Sequence, residues 1–123
     1  MDDKDYKKQL LERVIKFGRD SIKFVDSLPN RRSCWIIGDQ YLRSSTSVGA
    51  NVVEAQASSS RRDFVNFLTH ALKSANESKY WLILLADIKD VNQNERQKLL
   101  KEADELAKIL GSSTATLKGQ NKF

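Results

Sequence analysis

Apolar side chains recur along this chain at steps of three and four with charged residues between them, the pattern of helices that bury one face. The first such segment is predicted over residues 4–28. Leu10, Val14, Phe17, Ser21, Phe24, Val25 and Leu28 share one side of it, and Lys8, Glu12, Lys16, Arg19 and Lys23 the other. Pro29 biases the residue before it away from helical geometry and ends the segment. The second helix is predicted over 33–57, with Ser33 as N-cap and a stripe of Ile37, Tyr41, Ser44, Ser45, Val48, Val52 and Ala55. Its middle is made of small residues (Ser44, Ser45, Ser47, Gly49, Ala50), so a neighbouring helix can approach closely there. Gly38 and Gly49 weaken it by about 1 kcal/mol each relative to alanine. Ser58, Ser59 and Ser60 form the break.

The third helix is predicted over 63–88, its stripe being Phe64, Phe67, Leu68, Ala71, Ala75, Leu82 and Leu85. The run from Tyr80 to Ala86 is apolar on every side, and such a helix must be covered on more than one face. Each helix of a small bundle keeps an outer face, so the run implies a subunit interface at Trp81, Ile83 and Leu84, with Trp35 a further candidate. The fourth helix is predicted over 95–110, capped by Asn92 or Asn94 and stopped by Gly111. Leu99, Leu100, Ala103, Leu106, Ala107 and Leu110 form its buried stripe, and the polar tail 112–123 is expected to be disordered. Residues 1–111 then read as one domain.

Short loops between long helices favour antiparallel neighbours, so the expected fold is an all-α, up-down-up-down four-helix bundle. In that topology the N-terminus, the loop at 58–62 and the tail share one end. That end carries Lys4, Lys7, Lys8, Arg61, Arg62, Lys118 and Lys122, while Arg31 and Arg32 mark the other.

Composition narrows the function classes. A chain of 123 residues with 40% hydrophobic content can hold a core without staples. A single cysteine, Cys34, excludes an internal disulfide and points to a reducing compartment, and a single histidine leaves no zinc set. No apolar leader follows Met1. The longest apolar run, Tyr80 to Ala86, is seven residues against the roughly 20 that a membrane span needs. The expected location is the cytoplasm. A net charge of +5 makes an acidic partner plausible, with nucleic acid first among candidates. The candidate contacts are Lys8, Lys16, Arg19, Lys23, Arg31, Arg32, Arg61 and Arg62. Asp5, Glu12 and Asp26 interrupt this basic series, and no aromatic platform is interleaved with it. The binding so implied is weak and indifferent to sequence.

Two polar rows run beside the apolar stripes. Arg43, Ser47, Asn51 and Glu54 share a face of the second helix, and His70, Ser74 and Glu77 a face of the third. They read either as an interhelical polar network that fixes register or as solvated faces. Di-metal bundles need Glu-x-x-His pairs, whereas the third residue after Glu54 is Ala57 and after Glu77 is Tyr80, which argues against a metal. With no Ser-His constellation and no phosphate loop either, no enzyme and no cofactor is expected.

The same rows carry a resemblance. The stretch from Arg43-Ser44-Ser45-Thr46-Ser47 through Val48-Gly49-Ala50-Asn51-Val52-Val53-Glu54-Ala55 resembles the helix-two signature of the bacterial 23S ribosomal RNA intervening-sequence proteins. Phe64, Phe67, Leu68, Ala71, Ser74 and Glu77 resemble their helix-three pattern. That family is similar to the accessory variability determinant proteins of diversity-generating retroelements. Ala55 departs from it where glycine is common, which bears on the end of the second helix. The resemblance implies a homopentameric barrel of four-helix bundles with a basic surface suited to RNA or DNA, and, by analogy with the accessory relatives alone, a reverse transcriptase as partner. The leading expectation is a non-enzymatic oligomeric scaffold with weakly specific nucleic-acid binding. The alternative is a protein–protein adaptor whose charge is incidental.

Overall fold

A computed structural model of the protein describes residues 3–120. The chain forms α1 (Asp3–Asp26), α2 (Arg32–Ala57), α3 (Arg61–Leu84) and α4 (Gln93–Gln120), with no strand among the described residues. Packing follows chain order. Helix α2 lies against α1 and α3, α3 against α2 and α4, and a looser α1–α4 seam closes the ring. Partners pair in opposite directions. Ser21 meets Tyr41 while Lys7 meets Gln56, and Arg96 meets Leu82 while Lys79 meets Asp104.

The helix limits are set by local chemistry. Beyond α1 the amides of Ser27 and Leu28 reach back to the carbonyls of Phe24 and Val25, so the last turn tightens and the helix stops short of residue 28. The Pro29 carbonyl accepts from the Arg31 amide at 2.8 Å, and this tight turn starts α2 early. Arg31 is therefore the N-cap, without a side-chain bond, and Ser33 lies inside the first turn rather than capping it. Helix α2 runs unbroken through the buried Ala55 to Ala57, so alanine at the departing position leaves its end intact. Ser60 caps α3, its hydroxyl accepting from the Asp63 amide at 3.1 Å, a bond of the kind that contributes about 1 kcal/mol.

Helix α3 ends at Leu84 rather than residue 88. The amides of Leu85 and Ala86 turn back to Leu82 and Ile83, and a guanidinium nitrogen of Arg96 donates to the Leu82 carbonyl at 3.2 Å. The side chain of Asn92 caps α4 by accepting from the Glu95 amide.

The expectation for the tail is corrected. Gly111 adopts no left-handed conformation and does not stop the helix, which continues to Gln120. Past Gly111, Thr114 is buried with its hydroxyl donating to the Leu110 carbonyl, Leu117 packs on the core, and Tyr6 of α1 bonds Ser113 at 2.8 Å. The first turns of α1 thus give this stretch something to bury. Residues 121–123, Lys122 among them, lie outside the described residues.

Tyr41, Phe17, Leu82, Leu85, Leu106 and Leu110 are the largest side chains wholly enclosed in the core. The small residues of α2 admit its neighbours as expected. A Cβ added at Gly49 would stand 3.5 Å from the Cβ and carbonyl oxygen of Val14. On the other flank Ser44 and Ser78 bond across the α2–α3 seam at 2.9 Å, both buried.

Candidate nucleic-acid interface

The polar rows meet at one point. Arg43 pairs with Glu77 across the α2–α3 groove, and Glu77 also accepts from the Trp81 indole at 2.9 Å. The other residues stay on their own helices. Ser47 donates to the Arg43 carbonyl and Asn51 to the Ser47 carbonyl, while the backbone oxygen of Ser74 accepts from Ser78. Glu54 and His70 are exposed. The buried contacts between polar side chains of different helices are instead Ser44–Ser78 and Ser21–Tyr41, shielded by the apolar stripes. Among the described residues no group of three or more histidine, cysteine or acidic side chains could hold a metal ion.

Half of the basic candidates lie on one row. Lys8, Glu12, Lys16, Arg19 and Lys23 follow one another at helical steps along the outer side of α1, and all five are exposed. Lys16 is tied to Asp20 at 2.5 Å, a bond that raises the lysine's pKa. Lys8, Arg19 and Lys23 make no ion pair among the described residues. Arg13, turned toward α4, is spent inside the bundle. It bridges Glu102 and Glu105, and the hydrogen bond to Glu102 lifts its guanidinium pKa further above the ordinary value.

The remaining candidates divide between the two ends. Arg61 and Arg62 open α3 beside Ser58–Ser60, and the same groove is lined by Lys7 and Gln56. The shared end that the topology requires is therefore present, with Lys7, Arg61 and Lys118 belonging to it. At the opposite end Arg31 pairs with Asp90 at 3.3 Å, and Arg32 is exposed.

The interface candidates also separate. Trp35 is 57% exposed and Ile83 55%, but they lie on different sides. Trp35 stands one turn before Gly38, which abuts Val25 of α1 and Leu28 just beyond it, whereas Ile83 lines a shallow groove with Leu100 of α4. Leu84 is exposed, and Trp81 is half-buried with its indole already satisfied by Glu77. Sequence reasoning missed Ile15, Ile22, Val53 and Tyr80, all large, apolar and exposed. Their signal was an apolar residue off the buried stripe, Ile15 and Ile22 being seven apart and so on one helical row.

No described helix is long and apolar enough to cross a membrane. The family model of the 23S rRNA-intervening sequence protein matches residues 7–112. Among solved structures, a protein of unknown function from the S23 ribosomal protein family of Bacteroides thetaiotaomicron superposes with a TM-score of 0.78 at 33% identity. The match covers 85% of this chain and 97% of that one. No curated protein matches.

Proposed function

Since the chain belongs to the 23S rRNA intervening-sequence protein family, we propose that it is a non-enzymatic cytoplasmic scaffold that assembles with copies of itself and binds nucleic acid through its basic surface. The observation that carries the binding is the α1 row, where Lys8, Arg19 and Lys23 project into solvent with no acidic partner among the described residues. Cations so placed exchange condensed counterions for phosphates, an affinity that is salt-dependent and carries no base readout. Repeating the row around an oligomer multiplies it by avidity.

Assembly is supported by two sets of exposed apolar side chains. One is built from Ile15, Ile22, Trp35 and Val53 along α1 and α2, and the other from Tyr80, Ile83 and Leu84 on α3. Two different patches that fit one another give head-to-tail contacts, which close into rings. A pentamer is the ring the family resemblance implies.

The test is a mobility-shift titration with single-stranded and duplex probes at about 50 and about 200 mM salt, a span over which phosphate-driven binding weakens strongly. Micromolar binding at the lower salt, falling steeply at the higher, is expected. No binding at low salt, or binding indifferent to salt, rejects the reading. The exposed Trp35 favours a protein–protein adaptor as second reading. A specific protein retained after nuclease treatment, with no shift of any probe, selects it.

A further inference from the structure

At the end of the bundle where α1 begins, residues of all four helices line an open cavity of about 610 Å³. Small-ligand sites usually run to roughly 300–1,000 Å³. None of Lys8, Lys16, Arg19 and Lys23 lines it. Its walls are mainly apolar, with Leu10 and Leu68 from the core and Phe64, Ile109 and Leu117 nearer the opening. Two lysines, Lys7 and Lys108, stand at the lining together with the hydroxyl groups of Ser112 and Thr116, and among the described residues no lining residue is acidic.

The two cations are not equivalent. Lys108 has Asp104 at 3.0 Å on its own helix. Lys7 has no ion pair among the described residues, and its ammonium sits 5.9 Å from the centre of the Phe64 ring. That arrangement holds a positive charge against an apolar wall, where a carboxylate would be a better partner than a ring face. An apolar wall with cations and hydroxyls beside it is complementary to a single-chain amphiphile with an anionic head. Phosphodiester backbones are polar throughout and do not match such walls.

We propose that this cavity binds a medium-chain fatty acid, its tail against Leu10, Phe64 and Leu117 and its carboxylate at Lys7 and Lys108. The tail supplies most of the affinity, and the lysines choose the head group. Decanoate is titrated calorimetrically into the full chain below its micelle concentration, alongside octanoate, decanol and decyltrimethylammonium. One site per chain is expected, with about tenfold tighter binding for decanoate than for octanoate. Decanol should bind about tenfold more weakly than decanoate, and the cation should not bind. Lys7→Ala combined with Lys108→Ala changes two exposed side chains and should remove the preference for decanoate over decanol while leaving the far-UV circular dichroism unchanged. No saturable heat with decanoate, or equal binding of all three head groups, overturns the proposal. So does a ligand-free assembly that dissociates on Leu117→Gln, which would give the cavity to a second copy of the chain.

Discussion

The hydroxyl of Ser21 on α1 lies 2.7 Å from the phenol oxygen of Tyr41 on α2, both wholly enclosed by the core. Burial raises the Tyr41 pKa well above the ordinary phenol value of about 10, outweighing the hydrogen bond to Ser21, which lowers it. In the unfolded chain the phenol ionises near its ordinary value, while the native chain keeps the proton. Above that pH the unfolded state therefore binds fewer protons, and stability falls as pH rises. Urea unfolding from about pH 9 to about pH 11, spanning the ordinary phenol value, should show a decline that Tyr41→Phe reduces by up to about 1.4 kcal/mol per pH unit above about pH 10. Identical slopes for the two proteins would refute it.

At Gly49 the α1 backbone is close, but alanine has room. A Cβ there makes ordinary van der Waals contact with Val14. Gly49→Ala should stabilise the protein by up to about 1 kcal/mol through helix propensity, whereas Gly49→Leu must push α1 aside and cost about 1–3 kcal/mol. Paired thermal melts check the opposite signs.

Arg96 is only 8% exposed and serves the end of α3, donating to the Leu82 carbonyl while Gln93 holds its Nε at 2.5 Å. Arg96→Met keeps the bulk and removes one of two donors to that carbonyl, the Leu85 amide being the other, so a loss of about 1 kcal/mol is expected in chemical denaturation. An unchanged midpoint would show that water caps α3 equally well.

The helix past Gly111 is held in place jointly by its own core residues and by α1. A chain stopped after Gly111 forgoes the buried Thr114 and the packing of Leu117. About 2 kcal/mol of stability should go with them. Equal melting temperatures for full-length and shortened chains would show that this stretch contributes nothing.

Replacing Lys8, Arg19 and Lys23 together by glutamine should lower the slope of log affinity against log salt by about 0.9 for each phosphate no longer neutralised. The same number of changes at Lys101, Lys108 and Lys118 on α4 should leave the slope nearer its original value. Equal effects would spread the binding over the whole basic surface.

Much of the bundle is legible in the chain because burial obeys the helical period. Val14, Phe17, Tyr41, Val52, Ala71 and Leu106 all lie where the stripes put them. The ends were harder. Gly111 has the composition of a stop, and only the cover supplied by Tyr6 and its neighbours, far away in sequence, explains why the helix ignores it. Ser33 looks like a cap, but the Pro29–Arg31 turn engages the helix first. The polar rows misled for a different reason. Spacing identifies residues that share a face without telling how far that face is turned from the neighbour, so Arg43 reaches Glu77 while Glu54 and His70 remain in solvent. Ser78, which does meet α2, carried its signal in its place three residues after Ala75 on the buried stripe.

Chain order and packing order coincide in this molecule, and that bears on how it folds. Each helix packs mainly on a neighbour in sequence, so three of the four seams join consecutive helices and only the looser α1–α4 seam must wait for the ends to meet. Closing that distance costs loop entropy that the local seams never face. The protein should fold quickly, with the α1–α4 seam assembling after the transition state, so that Arg13→Ala speeds unfolding and scarcely slows refolding. The seam expected to close last is also the one that borders, where α1 begins, the cavity lined by Tyr6, Leu10 and Leu117.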